Sequence, residues 1–208
     1  MPILTYLSIF SACIPIIVGM LLFTKKVKKS IFIIIFLVSI SFLSDLVSLY
    51  FAFNSQRNYW VINIYRVIEI LLIGYFFYLN LGVKKIVLFI TILFLLVFLY
   101  LLIFVNFNSF YGSTFAIHAI INIALCLMIF YEFYKNEQEI FIDKTPLFWL
   151  NIGFLAYFAG ALFSFLLSNY LLTRYPEFSK EAWKFHNIAN ILKNILFAIG
   201  LWKVRAVV

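Results

Sequence analysis

Runs of about 20 apolar residues, each long enough to cross the core of a bilayer as an α-helix, follow one another along almost the whole chain. Short polar segments separate them, and none of these could fold as a soluble domain. We therefore predict an all-α, polytopic integral membrane protein in which residues 1–208 form a single seven-helix transmembrane domain. The predicted spans are 3–23, 31–53, 60–79, 86–105, 114–133, 146–172 and 183–203.

Composition supports a membrane location. Of the 208 residues, 66% are hydrophobic and 12% are charged. A soluble domain keeps roughly a quarter of its residues charged, so this chain cannot cover itself with a hydrated surface. Residues 3–23 lack a preceding basic region and a small-residue cleavage site, which favours a first span over a signal peptide. We expect a multi-pass protein of the inner (cytoplasmic) membrane.

Lysine and arginine in the connecting segments predict the orientation, because cytoplasmic loops carry an excess of both. One side of the predicted topology holds ten such residues and the other holds four. The N-terminus is therefore expected outside and the C-terminus in the cytoplasm. The basic residues form brief clusters beside the spans, so the net charge of +8 indicates topology and not nucleic-acid binding.

Four charged residues lie well inside the predicted spans, away from the span ends: Asp45, Arg66, Glu69 and Lys193. Counted at 1.5 Å per residue, all four fall in the outer half of the membrane, and their formal charges cancel. Charges facing lipid are costly, so these side chains are expected to face inward and pair. Arg66 and Glu69, three residues apart, share a helix face and can contact each other; coupling to Asp45 or Lys193 is also expected.

Polar residues continue this pattern on other spans. One face of the seventh span carries His186, Asn190 and Lys193, at steps of four and three residues. Shifted by one residue, the same span carries Asn187, Asn190 and Asn194 at similar steps. We interpret the converging faces as an outer-half polar cavity that binds a ligand. Its predicted lining is Asp45, Arg66, Glu69, His118, Asn122, His186, Asn190 and Lys193.

A purely structural interpretation stays open for these residues, because Asn, Ser and His often hydrogen-bond between membrane helices as packing contacts. On the sixth span small residues occur at every fourth position, a pattern that lets helix backbones approach closely. This predicts a packing seam, internal or between protomers. Its residues are Ala156, Gly160, Ser164 and Ser168.

No catalytic motif is present in the sequence. There is no Gly-x-Ser-x-Gly turn or Ser–His–Asp order, and neither Cys13 nor Cys126 has a nearby base. The chain has two histidines, fewer than the three or more ligands of a zinc-enzyme site. These features favour a protein that is not an enzyme and holds no metal or cofactor, and an enzymatic or cofactor-bearing protein stays open as an alternative. The alternative cofactors are haem, held by His118 and His186, and retinal.

Two resemblances extend this interpretation. Arg66-x-x-Glu69 on the third span and Lys193 on the seventh resemble microbial rhodopsins, which implies retinal on the lysine and a counterion role for Glu69. The chain departs from that family at Ala189, where the family has an acid. The stretches NIYRVIEILLIGYFFY, NIGFLAYFAGALFSFLL and WKFHNIANILKNILFAIGLW resemble a family of small seven-span proteins of Bacteroidota, which implies a sensory-type membrane module.

The function expected from these features is a membrane sensor or ligand-binding module. It would bind a small or amphipathic ligand in the outer half and signal through a cytoplasmic or membrane partner. The basic cluster Lys25 to Lys29 could contact that partner or anionic lipid headgroups. The alternative is a small-solute or ion transporter or channel that uses Asp45 or Glu69 as a protonatable group.

Overall fold

The computed structural model describes residues 3–22, 27–135, 142–174 and 176–207, with side chains described up to 166 in the third range and from 183 to 204 in the fourth. These residues form helices joined by short connections, and no strand occurs among them. The helices are α1 (Ile3–Ser11), α2 (Cys13–Met20), α3 (Lys29–Phe53), α4 (Tyr59–Asn80), α5 (Lys84–Tyr100), α6 (Gly112–Lys135), α7 (Pro146–Arg174) and α8 (Pro176–Val207).

Six helical segments in the described residues are long and apolar enough to cross a membrane. The prediction of an all-α, multi-pass protein is thus confirmed at that level. The seventh predicted span, 183–203, lies within α8 but is not one of the six candidates, because its asparagines and lysines lower its hydropathy. The six candidates are Ile3–Met20, Lys29–Phe53, Tyr59–Asn80, Lys84–Val105, Gly112–Lys135 and Pro146–Leu166.

One predicted span is interrupted, and one predicted connection was wrong. The first span is confirmed as the candidate Ile3–Met20, within which α1 and α2 are separated at Ala12. Pro15 has no N–H to donate to the carbonyl four residues earlier, which accounts for a break at this point. The predicted connection 173–182 is also mostly helical, since α7 ends at Arg174 and α8 begins at Pro176. Proline is well tolerated at the first helical position.

The chain divides into two compact units. Residues 1–27 and 111–208 form the first, here called the α8 unit, in which α8 packs against α1, α2 and α7, and α6 packs against α7. Residues 28–110 form the second, here called the α4 unit, in which α3 and α5 both pack against α4. The expectation of a single domain over residues 1–208 stays a prediction.

Glycines allow a close approach between α7 and α8. A Cβ added at Gly160 would lie 2.7 Å from the Cβ of Ala189, and one added at Gly153 would lie 2.7 Å from the ring of Phe197. Gly160 belongs to the predicted seam of small residues, and Ser164 from the same row is buried. At Gly160 the seam is therefore internal to the chain; the side chain of Ser168 lies outside the described residues.

Candidate functional site

The α4 unit contains a buried ion pair. Arg66 Nη1 contacts Glu69 Oε2, and the two residues are only 4% and 2% exposed. The hydroxyl of Tyr65 donates to the other carboxylate oxygen, Oε1, at 3.2 Å. The predicted contact between Arg66 and Glu69 is confirmed. Both oxygens of Glu69 are engaged by neighbours on its own helix.

Asn63 lies one turn before this pair and was not predicted as a functional residue. It is fully buried, and its Nδ2 donates to the carbonyls of Phe107 and Ser109 at 2.8 and 3.0 Å. The segment that follows α5 is thereby fastened to α4. In the sequence, Asn63 stands three residues before Arg66, which places both on one helix face and could have indicated that Asn63 is buried beside the ion pair.

Asp45 is on α3, and its side chain is half-buried. It thus belongs to the α4 unit together with Arg66 and Glu69, whereas Lys193 belongs to the α8 unit. The expected coupling of the ion pair to Asp45 or Lys193 stays a prediction.

In the α8 unit, two basic side chains of α8 meet an aromatic group on α7. Lys193 Nζ lies 4.4 Å from the centre of the Tyr157 ring, and the imidazole of His186 lies 5.5 Å from the same ring. His186 also contacts Phe165 at 5.5 Å and Trp183 at 5.1 Å between ring centres. We call these five residues the basic–aromatic cluster. Two of the predicted site residues, His186 and Lys193, are thus brought together through one tyrosine.

The polar residues of α6 are buried but face different partners. His118 is buried, with its ring 5.8 Å from Phe158 in an edge-on arrangement. Asn122 donates from Nδ2 to the carbonyl of His118, on its own helix, at 2.7 Å. One turn further, the carbonyl of Cys126 accepts from Asn151 of α7 at 3.0 Å. These contacts secure α6 to α7, and a ligand-binding role for His118 and Asn122 stays a prediction.

A row of hydrogen bonds joins α8 to α1. Asn187 Nδ2 donates to Thr5 Oγ1 at 3.3 Å, Asn190 Nδ2 to Ser8 Oγ at 3.0 Å, and Asn194 Nδ2 to Ser11 Oγ at 2.8 Å. We call these six residues the asparagine seam. The repeat of the asparagines was recognised in the sequence, but their partners were not. The spacing of Thr5, Ser8 and Ser11, three residues apart, was the signal for a matching face on α1.

The asparagine seam changes how Asn190 is understood. Its side-chain amide is directed to α1, although it shares a helix with Lys193 and was predicted to line the same cavity. α8 therefore presents two polar surfaces, with amides toward α1 and the base and ammonium toward α7. The ligand-binding role of Asn190 stays a prediction.

Metal-ligating side chains do not cluster in the described residues, where no group of three or more His, Cys, Asp or Glu is found. His118 and His186, the two histidines of the alternative haem site, contact different aromatic residues. The expectation that no cofactor is bound stays a prediction.

No model of a known protein family matches the chain, and no curated protein or solved structure matches it. The resemblances to microbial rhodopsins and to a seven-span family of Bacteroidota stay predictions. The class that the fold defines is a multi-pass helical membrane protein, with buried polar groups inside its apolar helices.

Proposed function

We propose that the protein is a membrane sensor whose basic–aromatic cluster binds a small amphipathic anion. The observation that carries this proposal is the position of Lys193, which is 7% exposed and lies against Tyr157 beside His186. An ammonium group within an apolar bundle is costly, and intramembrane charges usually mark a functional site. A carboxylate or phosphate would be attracted to Lys193, with His186 as a second donor.

The surroundings of the cluster suit the apolar part of such a ligand. Phe185, Ile188 and Leu192 of α8 are exposed within a chain whose helices are suited to a bilayer. An alkyl chain could therefore lie along α8 while its head group reaches Lys193. The flexible lysine stem allows the charge to approach an anion while its methylene groups stay in apolar surroundings.

The contacts of α8 offer a route by which binding could be sensed. α8 is joined to α1 by the asparagine seam and approaches α7 closely at Gly160. A ligand that changes the position of α8 would thus act on both neighbours. In this proposal the response is passed to a cytoplasmic or membrane partner protein.

The proposed topology has seven spans, an outside N-terminus and a cytoplasmic C-terminus. It is supported by the distribution of basic residues, and it treats α8 as the seventh span. Single cysteines introduced at Val27 and Phe110, in a chain lacking Cys13 and Cys126, should react with an impermeant reagent from opposite sides of the membrane. Reaction of both positions from the same side would contradict the topology.

Photolabelling tests the binding site. A photoreactive fatty acid with an alkyne tag, added to purified protein in nanodiscs, should label α7 or α8, and Lys193→Met should reduce labelling about tenfold. Methionine is unbranched and packs well against aromatic rings, so the fold should persist. Lys203→Met is the matched control, because Lys203 is a half-buried lysine on the same helix, ten residues beyond Lys193 and outside the cluster.

The matched alcohol probe, which lacks the carboxylate, should label wild-type protein weakly. Equal labelling of wild type and Lys193→Met by the acid would remove the cluster from the site. The transporter alternative is less well supported, since both oxygens of Glu69 are engaged on α4. Uptake of a solute by vesicles that depends on Asp45 or Glu69 would establish it.

Cofactor binding has its own test, the visible absorption spectrum. Purified protein is expected to be colourless. A visible band that is lost in Lys193→Met would indicate retinal, and one that is lost in both His118→Ala and His186→Ala would indicate haem.

A further inference from the structure

The start of α5 carries exposed positive charge that the proposed sensor function does not use. Lys84 and Lys85 are both exposed, and Lys84 lies near the ring of Tyr78. Tyr78 in turn stacks with Tyr75, which is 44% exposed. Lysine and tyrosine at the end of a membrane-suited helix are typical of the level of the lipid headgroups.

The charge at this end of the α4 unit is not balanced by acids. Residues 28–110 contain two acidic residues, Asp45 and Glu69, and both lie in the interior of helices. Short segments join α3 to α4 and α4 to α5, so α4 runs antiparallel to both of these helices. α3 and α5 therefore begin at the same end of the unit. Lys28 and Lys29, also exposed, therefore add to the positive charge at this end.

An apolar face continues directly from Lys85 along α5. Phe89, Leu93, Leu96 and Tyr100 follow at steps of three and four residues and thus lie on one side of the helix. All four are more than half exposed. α5 is also the least buried of the six candidate spans. The lysines at the start of α5 match the phosphate of an anionic phospholipid, and the long exposed apolar face that follows them matches its acyl chains.

We propose that Lys84 and Lys85 bind the phosphate of an anionic phospholipid whose acyl chains lie along the exposed face of α5. Lys28 and Lys29 strengthen the attraction at the same end of the unit. These lysines belong to the α4 unit and the basic–aromatic cluster to the α8 unit, and the proposal requires neither a particular orientation of the termini nor the sensor function.

Lipid retention tests this proposal. Delipidated protein in detergent is mixed with equal amounts of phosphatidylglycerol and phosphatidylcholine of identical acyl chains, and bound lipids are counted by native mass spectrometry. Wild-type protein should retain phosphatidylglycerol preferentially. Lys84→Gln/Lys85→Gln should lower this preference about tenfold, since each lysine near a membrane surface contributes substantially to anionic-lipid binding. The wild-type preference should fall as salt is raised.

Two further variants make the result specific. Lys135→Gln/Lys144→Gln removes the same charge from exposed positions of the α8 unit and should leave the preference within about twofold of wild type. Lys84→Arg/Lys85→Arg keeps the charge and should retain the preference, because arginine binds phosphate well. An unchanged preference in the glutamine variant, or equal losses in both glutamine variants, would overturn the proposal.

Discussion

A carboxylate of the α4 unit and the polar side chains of α8 are satisfied in different ways. Both carboxylate oxygens of Glu69 bond residues of its own helix, Arg66 and Tyr65. The polar side chains of α8 reach other helices, with Asn194 bonded to α1 and Lys193 lying over a ring of α7. A carboxylate bonded within its own helix stabilises that helix, whereas groups bonded to neighbouring helices determine which helices pack together.

The largest expected effect is on the buried ion pair. Glu69→Gln should lower the free energy of unfolding by about 3–5 kcal/mol, because it removes a buried negative charge that contacts the guanidinium of Arg66. The measurement is unfolding by SDS, followed by circular dichroism. Asp143→Asn, which removes an exposed acid shortly before α7, should change the free energy by at most about 0.5 kcal/mol.

A double-mutant cycle measures the coupling energy between Arg66 and Glu69. Adding Arg66→Met to Glu69→Gln should destabilise the protein by less than the sum of the two single changes, since both changes remove the same contact. Strict additivity would show that the contact contributes no coupling energy, and that the α4 unit does not hold its charges as a pair.

The next effect concerns the close approach of α7 and α8. Gly160→Val should lower the free energy of unfolding by about 1–3 kcal/mol, because the added side chain would overlap Ala189. Ala159→Val, at the adjacent exposed position, should have little effect. Combining Gly160→Ala with Ala189→Gly should restore stability relative to Gly160→Ala alone. If it does not, the added methyl group overlaps an atom other than the Cβ of Ala189.

The smallest effect is expected in the asparagine seam. Asn194→Leu should cost about 0.6 kcal/mol, the typical value for a side-chain hydrogen bond between membrane helices. Ser11→Ala should cost a similar amount, and the two changes together should cost less than their sum. Asn54→Leu is a suitable control, because the exposed Asn54 bonds only within its own helix turn, to the carbonyl of Tyr50. A cost for Asn194→Leu no greater than that of the control would show that the seam does not stabilise the packing of α1 on α8.

Local sequence patterns predicted much of this architecture. The lengths of the apolar runs located the candidate spans, and the spacing of Arg66 and Glu69 predicted their contact, because both properties depend on residues near each other in the chain. The break at Ala12 could also have been predicted, since Pro15 withholds a hydrogen bond at that point.

Contacts between distant segments could not be predicted in the same way. Asn63 bonds carbonyls 44 and 46 residues later, and Asn194 bonds a serine 183 residues earlier. The helical period shows which residues share a face but not which helix that face will meet. Thr5, Ser8 and Ser11 were therefore overlooked, and Asn190 was predicted to line a cavity although its amide bonds Ser8.

The most direct test of the account compares two adjacent residues of α8 in two assays. Asn194 is 1% exposed and bonded to α1, whereas Lys193 is directed to Tyr157 on α7. Labelling by the photoreactive fatty acid and the free energy of unfolding are measured for Asn194→Leu and Lys193→Met. We expect Asn194→Leu to lower stability while labelling persists, and Lys193→Met to lose about nine-tenths of the labelling while stability changes little. If Lys193→Met retains full labelling, or if the two variants lose labelling equally, α8 does not carry the ligand site on its α7-facing side and the central claim is wrong.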